Sequence, residues 1–402
     1  MSSAASVGRW DWRPPKPPPD DSQKNRKAGI AGLSRAVQNH VRMNSGMKII
    51  VACGLAALLA SALLLRPRPA PPVPARPAPP AAPPRLVAVY SVSANATDAE
   101  IQQALDRLPV TGGEVVLPPG DFVIRQPIHL NRDRQTLRGT GAASVLRLAD
   151  QANCPVIILG STEPNPTNVF SQLRLADLVI DGNRRNQRVE EWLDARNASG
   201  IQNNGVMVQS VSNSVIERVV AAHCRSGGLV TAVYVRSLTV RDFTAFDNEF
   251  DGLACYRTED CVFTKMNLHD NQSAGISLDN DFHHNVISDS TLTANDLGIF
   301  MRHSCSNQVQ NLTIRQSLHD GVFIAQSGHD TPAGWRFIPE SACIGNRFAL
   351  CQIQGCAGAA FRVNDAACTD NEVVGGLFRN NRRGGVVQAA TDLVKVVGLL
   401  ER

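Results

Sequence analysis

The sequence predicts an all-β fold: a right-handed parallel β-helix, a solenoid of roughly 23-residue coils, entered through a short N-terminal capping helix. Three observations predict it. Glycines fall at Gly205, Gly228, Gly252, Gly275, Gly298 and Gly321, spaced by 23, 24, 23, 23 and 23 residues, and a fixed period of this size marks a solenoid. The residues one after each glycine (Val206, Leu229, Leu253, Ile276, Ile299, Val322) are aliphatic. Those three after it (Val208, Thr231, Cys255, Leu278, Met301, Ile324) are nearly all apolar, which is the period-two signature of a strand with one buried face.

Two further short apolar runs complete each unit. About ten residues past the glycine come "SVIE", "SLTV", "CVFT", "NVIS" and "NQVQNL", following turn residues such as Asn213, Asp260, Asn285 and Asn307; then "MNL", "STL" and "LTI" close the coil. Three short strands with Asn/Asp/Gly corners describe one coil, and neighbouring coils should stack at about 4.8 Å.

The 402 residues divide into four parts. Residues 1–47 are basic and Pro-containing, and are expected to be disordered unless Met43 or Met47 is the true start. Residues 48–65 include the uncharged run Ile49–Leu65, read as a signal anchor or as a signal peptide cleaved near Ala60–Ala62. Residues 66–86 are a Pro/Ala spacer, and residues 87–402 are the β-helix domain. Either membrane reading exports the domain to the periplasm or beyond. The net charge of +4 is mild and much of the excess lies near the N-terminus, so no nucleic-acid partner is expected. The expected partners are a polysaccharide and, through Ile49–Leu65, a membrane; oligomeric state is open.

The segment Asp98–Leu148 ("DAEIQQALDRLPVTGGEVVLPPGDFVIRQPIHLNRDRQTLRGTGAASVLRL") resembles the entry of pectin-lyase-like β-helix proteins, and "IDGNRRNQ" (Ile180–Gln187) resembles an early loop of that superfamily. The resemblance spans about Val87–Arg402 and implies the fold. It does not fix a reaction, because such folds host lyases, hydrolases, epimerases and inert adhesins. The stretch "DGLACYRTEDCVFTKMNLHDNQSAGISLDNDFHHNVISDS" is similar in cadence to the coils of mannuronan C5-epimerases. Their Asp-Pro-His motif has no counterpart here, where the corresponding coil reads "GGLVTAVYVRS".

Positions two and four after each glycine should point outward. They place Tyr256, Asp279 and Arg302 on consecutive rungs, with Phe300 and Phe323 beside them, Asp296 and His319 along one edge, and Arg257, Asp281, His283, His284 and His303 just past the strands. Aromatic faces stack on sugar rings, and a guanidinium neutralises a uronate carboxylate. The expected chemistry is therefore lyase-like: Arg302 as neutraliser, His303 or His283 as base, Tyr256 as acid, and Asp279 in the same group. Arg257, Asp281, Phe300, Phe323, His319, Asp296 and Trp192 are the expected substrate contacts.

Competing readings stay open. Asp279 with Asp281 or Asp296 would suit a hydrolase, although the polygalacturonase set (Asn-Thr-Asp, Asp-Asp, Gly-His-Gly, Arg-Ile-Lys) is absent. Asp279 and Arg302 would equally form a structural charge ladder on a non-catalytic carbohydrate-binding or envelope β-helix. Phe300 and Phe323 would equally pack under the following insertion, Ser327–Pro339, whose His329, Asp330 and Trp335 would form an opposite wall. No cofactor is expected: Ca2+ has no motif, and His283–His284 with Asp281 is the one metal-like grouping. Among the ten cysteines, Cys343 and Cys368 should stack on neighbouring coils as a disulfide or as free thiols, with Cys351 and Cys356 a second local pair.

Overall fold

The computed structural model describes residues 88–189, 203–331, 334–337 and 340–402. The expectations for residues 1–47, 48–65 and 66–86, and for Trp192, lie outside the described residues. Among the described residues no helix is long and apolar enough to cross a membrane.

Ten parallel strands stack in one sheet: Ile128–Leu130, Ile157–Gly160, Val206–Gln209, Leu229–Thr231, Leu253–Glu259, Ala274–His283, Leu297–Arg302, Val322–Ala325, Phe361–Val363 and Val386–Gln388. The register runs one to one through the predicted column, Val206 to Leu229 to Leu253 to Ile276 to Ile299 to Val322, and continues past the insertion to Phe361 and Val386. These residues and those two further on fill the interior, nearly all without solvent exposure. Each buried Leu, Ile or Val contributes roughly 1.5–3 kcal/mol. The other two strands of each coil form a 21-stranded parallel network, in which the "SVIE"-type and "MNL"-type runs all appear as strands.

The glycine period has a steric cause. A Cβ on Gly252 would lie 2.9 Å from Asn271 Nδ2 and 2.9 Å from the Gly275 carbonyl oxygen of the next coil. One on Gly275 would meet Asn295 Nδ2 at 2.8 Å. The asparagines in question form a ladder inside one corner: Asn248 Nδ2 donates to Asn271 Oδ1 and Asn271 Nδ2 to Asn295 Oδ1, each at 2.9 Å. A second ladder runs Asn285, Asn307, Asn346, Asn371. Each ladder residue follows a left-handed corner residue, as at Asp247, Asp270 and Ala294 or His284 and Ser306, which turns the chain between strands. Buried amides then satisfy the corner's backbone groups, which water cannot reach.

Helix α1 (Asp98–Arg107) packs on the first coils. Thr97 and Glu100 form a capping box, with each side chain accepting the other's backbone N–H. Its C-terminal carbonyls are taken by the coils: Arg132 donates to Leu105, Asp106 and Leu108, and Gln135 Nε2 to Leu105. Asp98 holds the backbone N–H groups of Arg125 and Gln126 at 2.7 and 2.8 Å.

The described cysteines are free thiols. Cys343 and Cys368 do stack, with the Cys343 N–H on Cys368 Sγ at 3.4 Å. Cys351 and Cys356 do not face each other: each thiol turns to the carbonyl two residues before it.

Candidate functional site

The outward face of this sheet, which with four short flanking strands counts fourteen, carries Tyr256, Asp279, Phe300, Arg302 and Phe323. Tyr256 and Asp279 are register partners on adjacent rungs, and Arg302 sits one rung further on. Asp279 is 3% exposed. Its carboxylate accepts Arg302 Nη2, the Ser327 hydroxyl at 3.1 Å and the Asn280 amide at 2.8 Å. Both oxygens are thus occupied, which makes Asp279 a positioning group for Arg302. The guanidinium's Nε–H is buried and has no partner among the described residues, and the group lies 4.9 Å from the centroid of Phe300.

Tyr256 is half-buried. Burial of its phenol, then the nearby carboxylates of Asp251 and Asp279, push its pKa well above the ordinary value, against a smaller opposing effect of Arg302. The phenol stays protonated, with two carboxyls and a guanidinium near it.

Phe300 and Phe323 stack with centroids 5.8 Å apart and planes 6° from parallel. Phe300 keeps part of its surface, whereas Phe323 is 7% exposed and has the Arg362 guanidinium 5.3 Å from its centroid. Phe323 supports the strip from beneath; Phe300 is its open ring. Arg362 itself is held by Asn364 at 2.8 Å and lies 3.8 Å from Asp320.

Past the strands the register slips between Tyr256 and Thr258, so that Asn280 and Asp281, both with positive φ, face Arg257 alone. A bulge of this kind re-aims side chains. Here it gathers Asp281, His283 and His303, whose donor atoms lie within 4.8 Å of one another. Asp281 Oδ1 is 3.7 Å from His283 Nε2 and 3.4 Å from His303 Nε2. The trio looks like a metal grouping, but its hydrogen bonds argue otherwise. His283 Nδ1 accepts the Cys305 backbone N–H at 3.0 Å. The neutral ring then carries its proton on Nε2, the atom that faces Asp281, and offers an ion no lone pair there. Burial, then His303, hold the His283 pKa below its ordinary value. Of the two predicted bases, His283 is a fixed donor, while His303 Nδ1 makes no hydrogen bond among the described residues. His284 is exposed, with its ring edge-on to that of His283 at 6.3 Å between centroids.

Arg257 is exposed and makes no ion pair or hydrogen bond among the described residues. Asp296 and His319 pair with each other at 2.8 Å on the edge, with the His319 ring largely in solvent. Gly328–Thr331 and Gly334–Phe337 form an antiparallel hairpin, the expected insertion.

One residue escaped the sequence reading. Asp251, directly before Gly252, is 4% exposed and lines a pocket of about 170 Å3 with Phe250, Tyr256 and the outward residues Met207, Val230 and Ala254. Burial pushes its pKa up to about 6, against hydrogen bonds from Ser273 and the Ala274 amide.

A family model described as "Right handed beta helix region" matches residues 179–311. The fold is the right-handed parallel β-helix. No curated relative matches this β-helix by sequence. Among solved structures it is similar to the Azotobacter vinelandii mannuronan C-5 epimerase AlgE6 A-module (18% identity, TM-score 0.50, covering 78% of this chain and 99% of that one). It is similar also to the polygalacturonase of Erwinia carotovora ssp. carotovora (12%, TM-score 0.53, 78% and 96%). A third is the bacteriophage phi29 gene product 12 N-terminal fragment (14%, TM-score 0.55, 76% and 63%). At such identities the likeness of the β-helix to these proteins is one of fold.

Proposed function

We propose that this face binds and cleaves an acidic polysaccharide by lyase-type chemistry, in a domain exported by way of Ile49–Leu65. The observation that carries the reading is Tyr256, a neutral phenol between Asp251 and Asp279 with the Arg302 guanidinium nearby. A structural charge ladder accounts for Asp279 and Arg302 but gives no reason for a half-buried phenol beside two carboxyls on the outer face. Two of the structural neighbours, an epimerase of mannuronan and a polygalacturonase, are named for uronate polymers, which supports the same substrate class.

In this reading Arg257 and the exposed part of the Arg302 guanidinium face the uronate carboxylate and lower the barrier to proton loss at the adjacent carbon. His303, turned by Asp281 through Nε2, takes the C5 proton on Nδ1. The electron pair forms the C4–C5 double bond, the C4–O bond breaks, and the leaving oxygen takes the Tyr256 proton. Phe300 carries a neighbouring ring.

The test is the purified chain on alginate, polygalacturonate, glycosaminoglycans and neutral glucans. New reducing ends together with unsaturated-uronate absorbance, both lost in Tyr256→Phe, would support the proposal. Reducing ends without absorbance would point to hydrolysis, and binding without either product to a non-catalytic carbohydrate module.

A further inference from the structure

The charge of the face changes sign along its length. The pocket of about 170 Å3 lies on the coils preceding Asp279 and Arg302. This is well below the roughly 300–1,000 Å3 of sites for drug-sized ligands, and it suits a single ring. Its floor is apolar: Met207, Val230 and Ala254 stand on three consecutive rungs. Phe250 and Tyr256 supply aromatic walls, and among the described residues no Lys, Arg or His lines it. Its one carboxyl, Asp251, accepts the Ala274 amide at 2.8 Å, and among the described residues no cation pairs with it. A buried carboxyl without a cation accepts hydrogen bonds from sugar hydroxyls and repels a second carboxylate. Three rungs beyond Val230, the middle of the pocket floor, and so about 14 Å along the axis, the arrangement reverses. There the Arg302 guanidinium lies against Phe300, and Phe323 and the Arg362 guanidinium that lies against it follow on the next two rungs.

We infer that the Asp251 pocket is a subsite for one sugar ring that bears no carboxylate, so that the substrate is a heteropolymer in which neutral and acidic units are neighbours. A sugar residue adds about 5 Å to a chain, so the Arg302 guanidinium lies about three residues from the pocket, and in an alternating polymer a neutral ring in the pocket sets an acidic ring over it. A homopolymer of uronates would have to bury a carboxylate against Asp251. The inference rests on the polysaccharide reading proposed above and narrows it.

The experiment is calorimetric titration of the full chain with hyaluronan and unsulfated chondroitin hexasaccharides, which alternate acidic and neutral rings, and with oligogalacturonate of equal length. Wild type is compared with Val230→Trp, which fills the pocket from an outward position, and with Asp251→Asn. An alternating oligosaccharide should bind at least tenfold more tightly than the homouronate. Val230→Trp should abolish that preference and leave homouronate affinity as in wild type. If Val230→Trp does not fold by circular dichroism, Ala254→Leu serves the same purpose. Equal or tighter homouronate binding, or equal losses for both ligand types in the filled pocket, would overturn the subsite alone. Failure of every oligosaccharide to bind would overturn the polysaccharide reading and the subsite with it.

Discussion

The Asp279 carboxylate is bound at once by Arg302 from the next rung and by the Ser327 hydroxyl from the entry to the inserted hairpin. This joins the face of the sheet to the insertion that rises beside it. Removing Arg302 leaves a nearly buried carboxylate short of its main partner. Arg302→Ala should cost about 1–3 kcal/mol in urea unfolding, at the lower end because the arginine is itself a third exposed. Asp279→Asn/Arg302→Ala should recover much of that loss. Equal costs for the single and double variants would show that the pair contributes little as a pair.

The proton on His283 gives a second test. The Cys305 amide on Nδ1 requires the Nε2–H tautomer. The 15N shifts of the ring should therefore show Nδ1 unprotonated near neutral pH, and Zn2+ or Mn2+ titration should leave the His283 and His303 resonances in place. Saturable binding that is lost in His283→Ala would make the trio a metal centre instead.

Two buried carboxyls should tilt stability in opposite directions with pH. Glu217, 2% exposed on the larger sheet, is hydrogen-bonded by Arg174, Arg218 and Arg241, and these bonds hold its pKa down to about 2 even though burial opposes them. A lowered folded pKa means its stabilisation is present above the ordinary value of 4.5 and is lost as pH falls toward 2. The ceiling is about 3 kcal/mol, reduced because the arginines are a third to a half exposed. Glu217→Gln should flatten the acid limb of the stability curve.

Asp251 runs the other way. Its folded pKa of about 6 lies above the ordinary 3.8, so its stabilising contribution is fully present below that value and is lost as pH rises through 6. The groups facing it are the Ser273 hydroxyl, the Ala274 amide and the neutral Tyr256 phenol, none of which titrates in that window. Asp251→Asn should remove a fall in stability of up to about 3 kcal/mol between pH 4 and 6. An unchanged slope would show that the carboxyl is hydrated.

The asparagine ladder gives a purely structural prediction. Asn307 accepts from the Asn285 amide at 2.9 Å and donates to the Phe282 carbonyl at 2.9 Å and to Asn346 at 2.9 Å. Asn307→Ala strands groups on both neighbouring coils, at about 1–3 kcal/mol for each one left without a partner. A drop in Tm several times that of an exposed control such as Asn311→Ala is expected.

The coils were legible because their cause is local and repeated. Gly252 and Gly275 are glycine for the same reason, and the residues after them alternate with the pleat. The rungs of Tyr256, Asp279 and Arg302 followed directly. Asp251 was not legible: the residues that bury it, Met207, Val230 and Gly227, belong to earlier coils, and the position before each glycine has no common chemistry. The proton on His283 was equally hidden, because it depends on an amide 22 residues away and on a one-residue register slip. The covering of Phe323 depends on Arg362, which stands beyond an insertion that interrupts the period.

All fourteen described strands of the site-bearing sheet run the same way, so no rotation exchanges its two ends. The face therefore has a head and a tail, with the carboxyl-lined hollow toward one and the guanidiniums toward the other. A polysaccharide also has distinct reducing and non-reducing ends. Laid along this sheet in the proposed manner, it would thread in a single sense, and the bond broken would sit at a fixed distance from one end of the bound segment.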